Sequence, residues 1–318
     1  MIRLTTYRAA DTEEVVALWN RRVRGCYATG PLTPETFCRD VVGKRYFEPA
    51  GLILAREGAA LLAWVHAGFK SSDWIAPDPR LGTLSMVAQA SRRFDAGQAA
   101  VAGAVRYLLR RGARIVEAFT IDFPNTPFYN GLYGGEKAGM DETHPDGMEL
   151  LRRCHFNITN GALIMGCRLP ARIEPVRPPR GLRLRVESWE CPLARHSPAA
   201  SYGIPEPMRR ARILDRKGAD MGGVSFWHLE RHNRATGARL AVVTHVGVAP
   251  ELRGTGAARW LQTEVHRILR AEGAREVGLG TGGANLRAVA FYSKLGYRPL
   301  RTAYSFHLDW RHYKEFQP

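Results

Sequence analysis

The chain has 318 residues, 45% hydrophobic and 24% charged, a composition that excludes a disordered protein, and no apolar run approaches the ~18–20 residues of a membrane span. Lysine and arginine total 46 against 30 acidic residues, and the excess sits in the second half: 25 against 13 in residues 171–318, 21 against 17 before them. Such a basic half suits a polyanionic ligand, a phosphorylated cofactor or a nucleic acid, or is a solvated arginine-rich surface.

Five cysteines, Cys26, Cys38, Cys154, Cys167 and Cys191, are odd in number and form no CxxC pair. They read as free thiols in a reducing compartment rather than as a disulfide framework or zinc module. The N-terminus MIRLTTYRAADTEE has no signal-peptide core, so a cytoplasmic location is expected, with no membrane partner.

In chain order, Ile2–Tyr7 reads as a strand and Thr12–Arg22 as a helix. Leu52–Ala55 and Ala60–Val65 form a hairpin around Gly58. Leu84–Ala88 is a strand, Gly97–Arg110 a helix and Ile115–Phe119 a strand. Pro170–Arg180 carries four prolines in eleven residues, the composition of a semi-rigid linker. Beyond it, Leu182–Val186 is a strand, and Arg212–Arg216 and Gly223–Glu230 pair across a turn at Lys217–Gly218. Asn233–Gly237 reads as a turn and Leu240–Val248 as a long β-branched strand. Ala257, Leu261, Val265 and Ile268 or Leu269 recur at helical spacing, with Gly273 where a C-capping glycine belongs. Val277–Leu279 is a strand, Asn285–Leu295 a helix closed by Gly296, and Tyr297–Trp310 a strand pair. Two echoes, LRRGAR (109–114) with LRAEGAR (269–275) and LLRRCHF (150–156) with FYSKLGY (291–297), suggest two copies of one fold.

The stretch Val246–Ala258 (VGVAPELRGTGAA) carries the chemistry. A β-branched strand ends at a proline, and Gly254, Gly256, Ala257 and Ala258 leave the backbone N–H groups of the following helix uncovered. Those donors and the positive end of the helix dipole can cradle a pyrophosphate, with Arg253 adding charge. Alone, this is an ordinary strand-to-helix turn. It is followed, one helix and one strand later, by Asn285–Tyr297 (NLRAVAFYSKLGY). A Rossmann fingerprint is excluded because G-x-G-x-x-G and its later acidic residue are missing, and a Walker A loop because GK[ST] is missing.

Together the two stretches resemble the GCN5-related N-acetyltransferase (GNAT) superfamily. Its Arg/Gln-x-x-Gly-x-Gly/Ala motif is met by Arg253, Gly256 and Ala258. Its later signature is met by Asn285, Ala288, Tyr292, Leu295, Gly296 and Tyr297. The resemblance covers about residues 181–310. It implies an α/β (mixed α+β) protein of two tandem domains, each a splayed mixed sheet flanked by helices. These are a degenerate copy over 1–170, the linker 171–180 and an acetyl-CoA-binding domain over 181–318. That layout is similar to the mycothiol synthase family's.

The implied activity is direct transfer of an acetyl group from acetyl-CoA, as co-substrate, to the amine of a small molecule or peptide. Val246, Gly247 and Val248 would offer backbone groups to the pantetheine arm. The amides of Arg253, Gly254, Thr255, Gly256, Ala257 and Ala258 would hold the pyrophosphate, and Asn285 would touch the cofactor near the thioester. Tyr292, by itself a core aromatic on an amphipathic helix, would protonate the leaving thiolate. For the general base, His245 lies on the right strand, but alternation leaves its face open. His228 and Glu230 are further candidates; each of the three, taken singly, reads as a structural or solvent-facing residue, and the base stays open.

The first copy departs from the pattern. Aligned at the helix start, Phe94, Gly97 and Ala99 stand where Arg253, Gly256 and Ala258 do, Asp95 replaces a phosphate-friendly environment, and Leu151 stands at Tyr292. The Gly- and Tyr-rich Phe128–Gly139 is a substrate contact or a surface loop, and Ser188, Trp189, His196, Tyr202 and Glu206 are candidates to line an acceptor pocket. Two other classes stay open: a non-catalytic acyl-CoA-binding regulator, and a nucleic-acid-associated protein. Against the second, no aromatic-interleaved basic stripe or recognised binding motif is present, so nucleic acid is not the expected partner. No metal is expected.

Overall fold

The structure is a computed structural model and describes residues 1–22, 31–43, 47–70, 77–119, 139–188 and 208–316. It opens with strand β1 (Ile2–Thr6) and helix α1 (Thr12–Arg22). Glu13 and Glu14 lie in the first turn of α1 and Arg21 and Arg22 in its last, each charge at the helix end whose dipole favours it. The short α2 (Pro34–Phe37) is capped by the Thr33 hydroxyl, which accepts from Thr36 N–H. Then come β2 (Leu52–Glu57), β3 (Ala60–Phe69), β4 (Leu81–Gln89), α3 (Phe94–Arg110), β5 (Ile115–Ala118), β6 (Met140–Asp141), α4 (Pro145–Arg153) and β7 (Phe156–Arg168). The second half runs β8 (Arg183–Ser188), β9 (Arg209–Leu214), β10 (Asp220–His228), α5 (Glu230–Thr236), β11 (Leu240–Val248), α6 (Ala257–Ala271), β12 (Glu276–Gly282), α7 (Leu286–Lys294) and β13 (Arg298–Leu308).

These elements divide into two compact units. The first takes in Met1–Ala162 and Arg301–Pro318, the second Leu163–Cys191 and Ile204–Leu300. The proline-rich segment 171–180 therefore lies within the second unit. The sheet of the first unit has the order β1-β2-β3-β4-β5 followed by the Arg301–Leu308 part of β13, which β6 also pairs. The sheet of the second has the matching order β8-β9-β10-β11-β12 followed by the Leu163–Arg168 part of β7. In both, one parallel pair is joined by one helix: β4 and β5 through α3, β11 and β12 through α6. The remaining pairs with a defined register are antiparallel.

Alternation decides which face each strand residue buries. On β2, Leu52 and Leu54 pack with Val15, Leu18, Trp19 and Trp64 beneath α1, whereas Ile53 and Ala55 pack with Ala100, Val101 and Val105 of α3. In the second unit α6 buries Leu261, Val265 and Leu269 against Phe226 of β10, Ala241 and Val243 of β11 and Val277 of β12. Each such aliphatic or aromatic side chain contributes roughly 1.5–3 kcal/mol by leaving water.

Three local expectations change. Asn233–Gly237 is the end of helix α5, not an isolated turn. Gly237 closes it at φ +71, and the Asn233 side chain, which looks like a turn residue, bonds both the N–H and the carbonyl of Leu240. Tyr297–Trp310 is not a strand pair: the single strand β13 is followed by a 3₁₀ turn, Trp310–Phe316. Residues of β13 pair with β5 and β6 instead of folding back on themselves. Helix α3 begins at Phe94, three residues before the expected start at Gly97, which lies within its first turns.

Candidate functional site

In the second unit, β11 is buried from Leu240 to Thr244 and partly exposed beyond. Its parallel register with β12 covers only Leu240–Val242, although β11 continues to Val248 and β12 to Gly282. The two strands therefore part beyond Val242 and leave the backbone edge of Val246–Val248 on an opening. On the other side of β11, Ser225 pairs with Thr244 and Gly223 with Gly247, so Val224 alone faces two residues, His245 and Val246. Such a bulge bends a strand and re-aims the side chains beyond it. His245 takes the strained position, at φ +50, and is exposed. The bulge is why alternation could not assign its face.

The opening is a cleft of about 570 Å³, within the range of small-molecule sites. Val246, Gly247 and Val248 line one side, Gly254, Gly256 and Ala258 the turn into α6, and Asn285, Phe291 and Tyr292 the α7 side. Gly256 is the N-cap of α6 at φ +87, a conformation that L side chains disfavour. It contributes no capping side chain, and the first turn of α6 has no acidic residue. The first helical bond runs from Trp260 N–H to Gly256 O, so the amides of Ala257, Ala258 and Arg259 have no partner within the helix. A Cβ built on Gly247, Gly254 or Gly256 would meet no atom within 4 Å.

The charge balance is one-sided. Arg253, Arg259 and Arg287 line the cleft, and among the described residues no aspartate or glutamate does. Among the described residues, none of the three arginines has an acidic partner. Among the described lining residues Tyr292 carries the one hydroxyl; it is 8% exposed, with its ring 5.6 Å from that of Tyr297. Behind it, Tyr297 Oη and His266 Nε2 are 2.8 Å apart. Burial holds the Tyr297 hydroxyl protonated and pushes His266 down to about 4, so both are neutral at neutral pH.

The structure thus brings Val246, Gly247, Val248, Arg253, Gly254, Gly256, Ala258, Asn285 and Tyr292 around one cleft. Thr255 and Ala257 do not line it: the Thr255 hydroxyl donates to Leu252 O, tying the turn, and Ala257 is buried in the core. Nor does His245. Asn285 also has a local task, since its Oδ1 accepts from Ala288 N–H and caps α7. His228 and Glu230 line a different pocket of about 670 Å³, with His228 Nε2 2.9 Å from Glu272 Oε2. His228 registers with Ala241, roughly 17–23 Å along β11 from Val246–Val248 at ~3.3 Å per residue. Trp189, His196, Tyr202, Glu206 and most of Phe128–Gly139 lie outside the described residues, and Ser188 lines the same pocket as His228.

Sequence reasoning missed Arg259 and Arg287. Both stand in the first turn of a helix, third in α6 and second in α7, where the dipole opposes a cation. An arginine against that preference at two helix starts facing one cleft was the available signal.

Among the described residues of the first unit the corresponding cleft is smaller and crowded. β4 pairs with β5 only from Leu81 to Leu84, and beyond it lies a pocket of about 220 Å³ lined by Val87, Ala88, Gln89 and the start of α4. Arg22 and Asp146 of its lining form an ion pair. The Gln89 carboxamide occupies the space above Gly97, where a Cβ would also meet Leu150. Asp95 stands in the first turn of α3, paired with Arg93 at 2.8 Å, and Leu151 is fully buried.

Residues 184–297 match the model of the acetyltransferase (GNAT) family. Among the described residues the matched stretch falls within the second unit. A search of curated proteins finds no match. The whole chain is similar in fold to a tandem GNAT protein from the clavulanic acid biosynthesis pathway, at 14% identity over 96% of this chain and 98% of that one, TM-score 0.69. It is also similar to a GCN5-related N-acetyltransferase from Sphaerobacter thermophilus, at 13% identity over 96% and 95%, TM-score 0.62. A glucosamine N-acetyltransferase region of a fungal multi-domain β-N-acetylglucosaminidase matches over 96% of this chain and 38% of that one, at 14% identity and TM-score 0.64. The arginine-lined cleft lies within the residues matched by the GNAT family model, and the chain has the tandem GNAT fold. Among the described residues no helix is long and apolar enough to cross a membrane.

Proposed function

We propose that the protein transfers an acyl group, acetyl in the first instance, from acyl-CoA to an amine, with binding and chemistry in the arginine-lined cleft of the second unit. The observation that carries this reading is the cleft's composition: three arginines without acidic partners, open helix N-terminal amides and glycines with free space above them, around one buried hydroxyl. That set fits a ligand with several phosphates at one end and a reactive group at the other. The amides of Ala258 and Arg259 would hold the pyrophosphate, with Arg253, Arg259 and Arg287 balancing its charge. The free edge of Val246–Val248 would bond an extended arm as an added strand. Coenzyme A supplies an activated thioester. Attack of the amine nitrogen on its carbonyl carbon forms the carbon–nitrogen bond and breaks the carbon–sulfur bond; Tyr292 Oη would give the departing sulfur its proton, and the proton lost by the amine would pass to solvent water, from which the phenol is restored.

A binding-only regulator is the second reading. It draws on one observation, that among the described residues neither a carboxylate nor an imidazole lines the cleft. Incubating the full chain with acetyl-CoA and a panel of amines, and following thiol release, separates the two. Turnover with any amine above the hydrolysis background supports transfer. Tight acetyl-CoA binding without turnover across small, sugar, peptide and polyamine acceptors supports the regulator.

A further inference from the structure

The first unit contains a cluster that the acyl-transfer reading does not use. Helix α4 stops at Arg153 with Cys154 as its C-cap, and His155 follows at φ +63. This left-handed position commonly closes a helix, and glycine usually fills it. The second unit shows the usual solution, with Gly296 at φ +88 after α7. A histidine held there against the steric preference of its Cβ is the kind of outlier that points to a task. Its ring lies parallel to that of His312, centroids 3.7 Å apart and planes 2° from parallel. His155 Nε2 is 3.4 Å from Glu315 Oε2, and His312 Nδ1 is 2.6 Å from Glu315 Oε1. One donor atom from each of the three residues lies within 4.8 Å of the other two.

His312 and Glu315 are presented by an anchored turn. Asp309 N–H donates to His155 O at 3.0 Å and His312 N–H to Asp309 O at 3.0 Å. The Tyr313 hydroxyl accepts from Val116 N–H at 2.9 Å, and Phe316 is buried in the core of the first unit. Packing therefore holds the donors together without requiring them to attract one another.

We propose that His155, His312 and Glu315 bind one divalent transition-metal ion, Zn²⁺ by preference, which clips the Trp310–Phe316 turn to the end of α4. Two imidazoles and a carboxylate form a borderline-soft donor set that suits zinc, whereas magnesium and calcium take oxygen ligands. Zinc bonds of about 2.0–2.2 Å place neighbouring donors of a tetrahedral site roughly 3.3 Å apart, close to the His155–Glu315 separation. Binding requires the two rings to rotate out of their stack, so that both lone pairs meet, and the His312–Glu315 hydrogen bond to open. The side chains of His155 and Glu315 are 41% and 54% exposed, which leaves a path for the ion and a fourth position for water. None of the three lines either cleft, so the ion is structural and distinct from acyl transfer.

The test uses tag-free, chelator-stripped full-length protein titrated with Zn²⁺ by calorimetry, with Co²⁺ visible absorption as a second readout. The proposal expects one ion per chain, a higher melting temperature with Zn²⁺, and at least tenfold weaker binding in His155→Gly and in His312→Ala. Without metal, His155→Gly should be no less stable than the wild type, because glycine relieves the φ strain; this separates lost ligation from misfolding. The absence of stoichiometric Zn²⁺ binding at tens of micromolar metal, or wild-type affinity in both variants, would overturn it.

Discussion

Tyr292 is the residue on which the proposed chemistry turns. It is buried, it lines the cleft, and its ring packs against Phe291 and Tyr297. Tyr292→Phe keeps that packing and removes only the proton donor. The expected outcome is a kcat lowered by about 10²-fold, the low end of general acid catalysis, because a thiolate is already a tolerable leaving group. Acetyl-CoA affinity should be unchanged, and a wild-type kcat across the pH range would reduce Tyr292 to a packing residue. His266, on the far side of Tyr297, sets a different expectation. Its pKa is pushed down by burial to about 4, so the folded state resists the proton that the unfolded chain accepts near 6.5. His266 therefore contributes stability above pH 6.5 that is lost as pH falls toward 4, on the order of 3 kcal/mol. Buried His66, held down to about 3, acts in the same direction. Denaturant melts at pH 7 and pH 4.5 should show a smaller drop in His266→Gln than in the wild type; equal drops would contradict the assignment.

At the scale of elements, α7 separates a capping role from a ligand role. Asn285 Oδ1 caps the helix through Ala288 N–H, so Asn285→Ala should cost about 1 kcal/mol of stability. Asn285→Ser keeps a capping oxygen and should restore that stability. If acetyl-CoA affinity also returns with serine, Asn285 acts by holding α7; if it stays weak, the side-chain amide contacts the ligand itself. The same scale shows what the sequence disclosed. The β11–α6 turn was legible because its signals are local: a β-branched run, Pro250, glycines at the turn and apolar spacing through Leu261 and Val265. Helix α1 was legible to the residue for the same reason. The sheet memberships of Leu163–Arg168 and Arg301–Leu308 were not, because a strand's partner depends on which distant edge is open and not on its own pattern. The bulge at His245 broke the alternation that would have placed that side chain. Arg259 and Arg287 looked like ordinary solvated arginines until the cleft gave their positions in the helices a meaning.

For the whole molecule, the composition of each unit has a consequence for dissection. Met165, Cys167 and Leu169 belong to the core of the second unit, yet they precede the proline-rich segment. A fragment of residues 171–318 lacks them and leaves β12 without its edge partner. Removing three buried side chains, each worth roughly 1.5–3 kcal/mol, is comparable with the 5–15 kcal/mol that holds a domain together. That fragment should aggregate or fail to melt cooperatively; cooperative unfolding with full acetyl-CoA affinity would contradict the division of the chain. The central claim, that one cleft in the second unit takes acyl-CoA and the first unit's crowded counterpart does not, is tested most directly by calorimetric titration of acetyl-CoA into the full chain and into Gly247→Leu. Gly247 has open space above it and lines the cleft, so leucine blocks the site without the backbone strain that a side chain at Gly256 would add. The account predicts one site per chain in the wild type and affinity lowered at least tenfold in the variant, with an unchanged melting temperature. Two equal sites, or undiminished binding in Gly247→Leu, would contradict it.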